Sequence, residues 1–160
     1  MVRADWFNQN FDEGFLRDAV RTGEVVFPVG QMKQVLNDAE DIAAVMAAAL
    51  TRDGHAGQVY ELSGPDALSF GQACQILSDV CGYPVRFSGE ASRYREVMTG
   101  LGLGEHEVTR QVAAVQALAD TGDAEVTDVV ERVTGRSPIS FQSYARVAAQ
   151  HGAWQRSPRH

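Results

Sequence analysis

The sequence has almost no lysine: of its 14 basic residues only Lys33 is one, and the other 13 are arginine. Acidic residues outnumber basic ones, and the net charge is -7. No Lys/Arg cluster breaks that balance, so the basic face of a nucleic-acid binder is missing and no nucleic-acid partner is expected. Cysteine is scarce as well. Cys74 and Cys81 are seven residues apart, which on one helix separates them by about 10 Å, too far for a disulfide. Two reduced thiols fit a cytoplasmic protein. Long apolar runs are absent: the longest, Ile42–Leu50, is about half a membrane span, and no membrane partner is expected. The first residues lack the basic stretch and apolar run of a signal peptide.

Several chemistries lack their residues too. The four histidines, at 55, 106, 151 and 160, have no ligand partner at i+3 or i+4, and no cysteine stands at a zinc spacing, so no metal is expected. There is no G-x-S-x-G elbow. The glycine-rich stretch Gly100–Val108 ("GLGLGEHEV") follows a helical segment rather than a strand, so it reads as a helix–helix loop and not a dinucleotide loop.

What is present suits one globular domain, expected over residues 1–150, with residues 151–160 as a flexible tail. Apolar spacing predicts an amphipathic helix from Trp6 to about Thr22, closed by Gly23. Short strands are expected at Val25–Phe27, Val35–Leu36 and Val59–Leu62, and an extended piece in "YPVRFSG". Asp38 should cap a helix running to Leu50, with Glu40 and Asp41 favoured in its first turn by the helix dipole. Ser69 and Gln72 form a capping box for a helix closed by Gly82. Further helices are expected at Tyr94–Met98, Glu105–Ala119, Asp128–Val133 (with Asp128 and Glu131 as a capping box) and Phe141–Gln150. The fold class is therefore α/β and mostly helical, with a few short strands. A lone strand at Val59–Leu62 cannot satisfy its backbone groups, so something must pair with it.

The opening stretch concentrates chemistry. "WFNQN" sets an indole, a phenyl ring and three amides side by side, a mix that suits the floor of a site for a flat ring with carbonyl groups. An ordinary amphipathic helix start gives the same pattern.

Three segments, in order, resemble one family. "VRADWFNQNF" is similar to a strand end followed by Arg-Pro and Trp-Phe-x-Gln-Asn-Phe, with Ala4 in place of the proline. "VLNDAEDIAAVMAAAL" is similar to the segment carrying Asp-x-x-Asp-Ile-Ala-Ala-Val. "GHAGQVYELSGPDALSFGQACQILSDVCGYPVRF" resembles the strand–turn–helix after it. The family is the NmrA-like group of atypical short-chain dehydrogenase/reductases, and the resemblance covers its C-terminal half. It implies a remnant of a Rossmann-like fold that lacks the N-terminal nucleotide-binding βαβ units. It also implies a truncated or split NAD(P)-dependent oxidoreductase, whose complete relatives reduce quinone-like or carbonyl substrates with NAD(P)H. By resemblance Ala4 and Trp6 lie on the nicotinamide side of the cofactor. Trp6, Phe7, Asn8, Asn10, Asp38, Ser63, Gly64 and Pro65 fall at the substrate, and no catalytic residue is assigned. Tight NAD(P)H binding by this chain alone is not expected. The expected partner is a second copy or a separate nucleotide-binding chain. A non-enzymatic interaction module and a helical lobe with a new small-molecule activity stand as alternatives.

Overall fold

The computed structural model describes residues 1–120 and 122–156. The chain begins extended and is paired twice within six residues. β1 (Val2–Arg3) lies parallel to β5 (Tyr60–Glu61). β2 (Trp6–Phe7) lies parallel to β4 (Lys33–Asn37), with Trp6 opposite Leu36. β6 (Ala67–Ser69) pairs antiparallel with the other side of β4, and β3 (Glu24–Val26) pairs parallel with β7 (Arg86–Ser88). The strand expected at Val59–Leu62 thus finds its partner inside the chain. It is shorter than expected, and Val59 is exposed.

Helices surround these strands. α2 (Ala39–Thr51) is capped by Asp38, whose side chain accepts the Glu40 N–H. α3 (Phe70–Cys81) opens with the Ser69–Gln72 capping box and closes at Gly82, with φ at 70°. α4 (Ala91–Gly100) and α5 (Glu105–Ala119) flank the Gly-rich loop. α6 (Val129–Thr134) packs on α2, and α7 (Phe141–Gln150) packs on α3.

The main core joins Phe11, Leu16, Val20, Phe70, Leu77 and Phe141. A second lies between α2, α6 and β5, around Val45, Leu62 and Val130. A third seals α4 to α5 through Tyr94, Val108 and Val112. Among the described residues no helix is long and apolar enough to cross a membrane. Both cysteines are free, and burial pushes the Cys74 thiol up to about 12.

Three expectations need correction, and one strand was not expected. Trp6 to Thr22 is not one helix: it is β2, a 3-10 turn at Asn8–Phe11, a loop, and the short α1 (Arg17–Thr22), which Gly23 closes with φ at 91°. Asn8, Asn10, Asp12 and Gly14 are poor helix formers, and the backbone pairing of β2 with β4 outweighs the apolar spacing. β6 went unforeseen because three residues after a Gly-Pro turn carry too little pattern for a strand. Asp128 makes no side-chain cap; its carboxylate faces Arg132 instead, with the Arg132 Nε 3.4 Å away. Trp154, assigned to the flexible tail, is buried, and its Nε1 donates to the Phe11 carbonyl at 2.7 Å. Residues 157–160 of that tail lie outside the described residues.

Gly64, three residues beyond β5, lies against the backbone of β4 at Leu36. A Cβ there would collide with the Leu36 carbonyl oxygen. The neighbour is backbone and has nowhere to go, so Gly64→Ala should destabilise the fold by about 2 kcal/mol, read as a lowered urea midpoint with an unchanged m-value.

Candidate functional site

Alternation along β2 sends neighbouring side chains to opposite faces. Trp6 turns toward the main core but stays half-buried. It meets Phe27 edge-on at 5.4 Å and Phe70 edge-on at 5.3 Å, and Phe15 tilts against it at 6.4 Å. Phe27 stacks on Phe70 at 5.5 Å and takes the edge of Tyr94 at 6.2 Å. Five rings from five parts of the chain therefore make one aromatic wall. Such pairs contribute about 0.5–1.5 kcal/mol each beyond their area. Phe15 remains 62% exposed at its rim. Of these rings the sequence reading singled out only Trp6 for a site. Their spacing gives no signal, although Phe27, on a strand end before Pro28, is a plausible place to look.

Phe7 goes the other way. With Val2, Ala4, Ile42, Met46 and Leu50 it lines a groove of about 710 Å³ between β1 and α2. Trp6 and Phe7 thus serve different surfaces, and Ala4 lies with Phe7.

The amides form a third feature. Asn8, fully buried, donates from Nδ2 to Asp38 Oδ2 at 3.1 Å, and Gln9 Nε2 donates to the same oxygen at 3.4 Å. The other Asp38 oxygen accepts the Glu40 N–H at 3.0 Å, and Gln9 Oε1 accepts the Ala39 N–H at 3.1 Å. Asn8 and Asp38 are therefore brought together, with Gln9, one of the three amides of that stretch but not among the residues the resemblance assigns, as their link. The Asn8 Oδ1 is buried without a partner. Asn10 is half-buried, and its carbonyl accepts the Leu16 N–H at 3.0 Å. Ser63, Gly64 and Pro65 lie apart from this knot: the Ser63 hydroxyl accepts the Thr127 N–H at 2.8 Å, and Gly64 packs on Leu36.

Beside the knot, Gln9, Asp12, Asp38, Tyr144 and His151 line a cavity of about 380 Å³. The Tyr144 hydroxyl donates to Asp12 Oδ1 at 2.7 Å. Burial, then the Asp12 hydrogen bond, push the ionisation of that phenol up, so it stays protonated. Asp41, one turn into α2, accepts the Ile139 N–H at 2.6 Å and pairs with Arg136 at 3.1 Å. Burial raises its carboxyl above the ordinary value of 3.8, against the opposing pull of Ile139 and Arg136.

The described residues do not fit the phosphates of a dinucleotide. A pyrophosphate needs free N–H groups at a helix start after a strand and a glycine turn. Here the strand-to-helix junction at α2 is closed by the Asp38 carboxylate with Glu40 beside it, and that at α3 by Ser69. At Gly100, Gly102 and Gly104 no protein atom approaches where a Cβ would stand, and of the three only Gly102, with φ at 91°, has a backbone that calls for glycine. Among the described residues no group of three His, Cys, Asp or Glu side chains is placed to hold a metal.

No protein-family signature matches the chain. It is 39% identical over 134 residues to an NAD(P)H azoreductase of Xenophilus azovorans, covering 82% of this chain and 46% of that protein. It is 31% identical over 156 residues to an uncharacterized oxidoreductase, YesF, of Bacillus subtilis, covering 96% of this chain and 54% of that protein. The chain spans about half the length of the curated relatives it matches. Its fold is that of part of the Citrobacter sp. triphenylmethane reductase, with a TM-score of 0.74 at 21% identity over 92% of this chain and 52% of that one. An NADPH-dependent quinone oxidoreductase of Escherichia coli gives a TM-score of 0.71 at 19% identity, over 88% of this chain and 51% of that one. The α/β architecture with few short strands is thus shared with Rossmann-like reductases.

The Asp41 environment makes a pH prediction. The folded chain holds the Asp41 proton to higher pH than the unfolded chain does. This contribution to stability is therefore fully present below 3.8 and is lost as pH rises through the raised folded value. Asp41→Asn keeps an acceptor for Ile139 and cannot ionise. The stability of the natural chain minus that of the variant should fall across this window, measured by urea unfolding at successive pH values.

Proposed function

We propose that this chain is the substrate-binding half of an NmrA-like, NAD(P)-dependent oxidoreductase. The observation that carries the reading is the 39% identity to an NAD(P)H azoreductase over 82% of the chain. The aromatic wall supports a substrate class. Trp6, Phe15 and Phe27 offer a planar acceptor, quinone-like or an aromatic carbonyl compound, a surface that binds rings through area and edge-to-face contact. The hydride chemistry belongs to the cofactor, and the cofactor's phosphates find no seat among the described residues. The role of these residues is to hold the acceptor, keep water off one of its faces and fix its orientation. A partner half supplies the nucleotide site. The Asn8–Gln9–Asp38 knot is the support that sets the direction in which the chain leaves Trp6.

Calorimetry with a naphthoquinone tests the reading. The isolated chain should bind it, and Phe27→Ala should weaken that binding about tenfold, the loss of roughly one aromatic contact pair. Titration with NADPH, followed by its own fluorescence, should show no saturable binding in the micromolar range. Micromolar NADPH affinity, or naphthoquinone affinity unmoved by Phe27→Ala, would overturn the proposal.

A further inference from the structure

We infer that Phe15 is a movable leaf on the aromatic wall and sets the size of ring system the wall takes. Its ring holds the place a fused-ring acceptor would occupy and swings out before one binds. This inference rests on the function proposed above and gives that site its selectivity.

The rings of the wall are not held alike. Phe70 is buried, with Trp6, Phe11, Phe27 and Phe87 around it. Phe27 is fixed by Trp6 and Tyr94, both edge-on, and by its stack on Phe70. Phe15 meets Trp6 at 6.4 Å and Phe27 at 5.9 Å, and among the described residues it meets no other ring. Its planes lie at 50° and 48° to theirs. That is neither the stacked nor the edge-on arrangement that the ring quadrupole favours. An exposed phenylalanine alone signifies nothing. A loosely held ring leaning on the two half-buried rings that would receive a planar ligand does.

The backbone beneath this ring is fixed. The N–H groups of Asp12, Glu13 and Gly14 all donate to the Gln9 carbonyl, at 3.3, 2.9 and 2.9 Å, and the Gln9 side chain is itself tied to Asp38 and Ala39. On the other side of Phe15 the Leu16 N–H donates to the Asn10 carbonyl, and the Leu16 side chain sits in the main core. The loop is also closely packed: a Cβ on Gly14 would stand 2.8 Å from the Asn10 Cα. The loop therefore does not carry Phe15 away. The ring moves by its own side-chain torsions, a step that exposed side chains make within nanoseconds.

The geometry then ranks acceptors by size. Trp6, Phe27 and Phe15 form a triangle with sides of 5.4, 5.9 and 6.4 Å between ring centres. A single ring can rest on one of the wall rings beside Phe15. A fused system laid across Trp6 and Phe27 together takes the corner that Phe15 holds. Its apparent affinity is reduced by the fraction of molecules in which that corner is filled.

The test titrates the chain by calorimetry with duroquinone, which has one ring, and anthraquinone-2-sulfonate, which has three. Phe15→Ala, checked for its fold by circular dichroism, should raise the ratio of the anthraquinone to the duroquinone association constant about tenfold. In the natural chain the nuclear Overhauser effects between the Phe15 ring and the Trp6 indole should vanish as anthraquinone-2-sulfonate saturates the site, while those between Phe27 and Phe70 persist. A ratio that stays or falls in Phe15→Ala overturns the inference, as do Phe15–Trp6 effects that survive saturation. Phe27→Ala separates the two proposals. If it weakens anthraquinone binding while Phe15→Ala leaves the ratio as it was, the acceptor site stands and the leaf is wrong. If neither quinone binds the natural chain or Phe15→Ala, both fall.

Discussion

Everything in this molecule is arranged around one extended segment of six residues, Val2–Phe7. Its first half pairs with β5 and its second half with β4. That double pairing fixes the pleat, and the pleat fixes direction. Trp6 must enter the aromatic core and Phe7 must leave it. A register slip of one residue would exchange them, placing an indole on the α2 groove and emptying the centre of the ring cluster. The aromatic wall and the apolar groove are two consequences of the same backbone constraint.

Asp38 holds that segment to the rest. Its carboxylate caps α2, as carboxylates at helix starts do, but it also takes the Asn8 and Gln9 amides that follow β2 directly. Three hydrogen bonds across about thirty residues of sequence, with the local cap of Glu40, make the turn after Trp6 and the start of α2 a single unit. The acidity there is thereby spent on structure. It also explains why a phosphate finds no welcome at the start of α2: the N–H groups are taken, and the charge is of the wrong sign.

Much of the fold was legible because its signals are local. Asp38, Ser69 with Gln72, Gly23 and Gly82 mark helix ends by chemistry that acts within a turn, and α2, α3 and α7 lie where the sequence put them. What was not legible depends on distant partners. β2 is extended because β4 is beside it, although its residues read as a helix, and β6 exists because β4 has a second edge. The site divides the same way. Trp6, Asn8 and Asp38 stood out by type or by resemblance. Phe15, Phe27, Phe70 and Tyr94 converge only after four elements have packed, and nothing in their spacing foretells it.

The hydrogen bond from Trp154 to the Phe11 carbonyl joins residues 143 positions apart. The 3-10 turn that follows β2 therefore gains its buried donor only when a segment 143 residues further along folds back on it. Contacts of such long sequence separation slow folding and leave apolar surface uncovered meanwhile. The same bond ties the segment after α7 to the 3-10 turn and so holds the two far ends of the main core together.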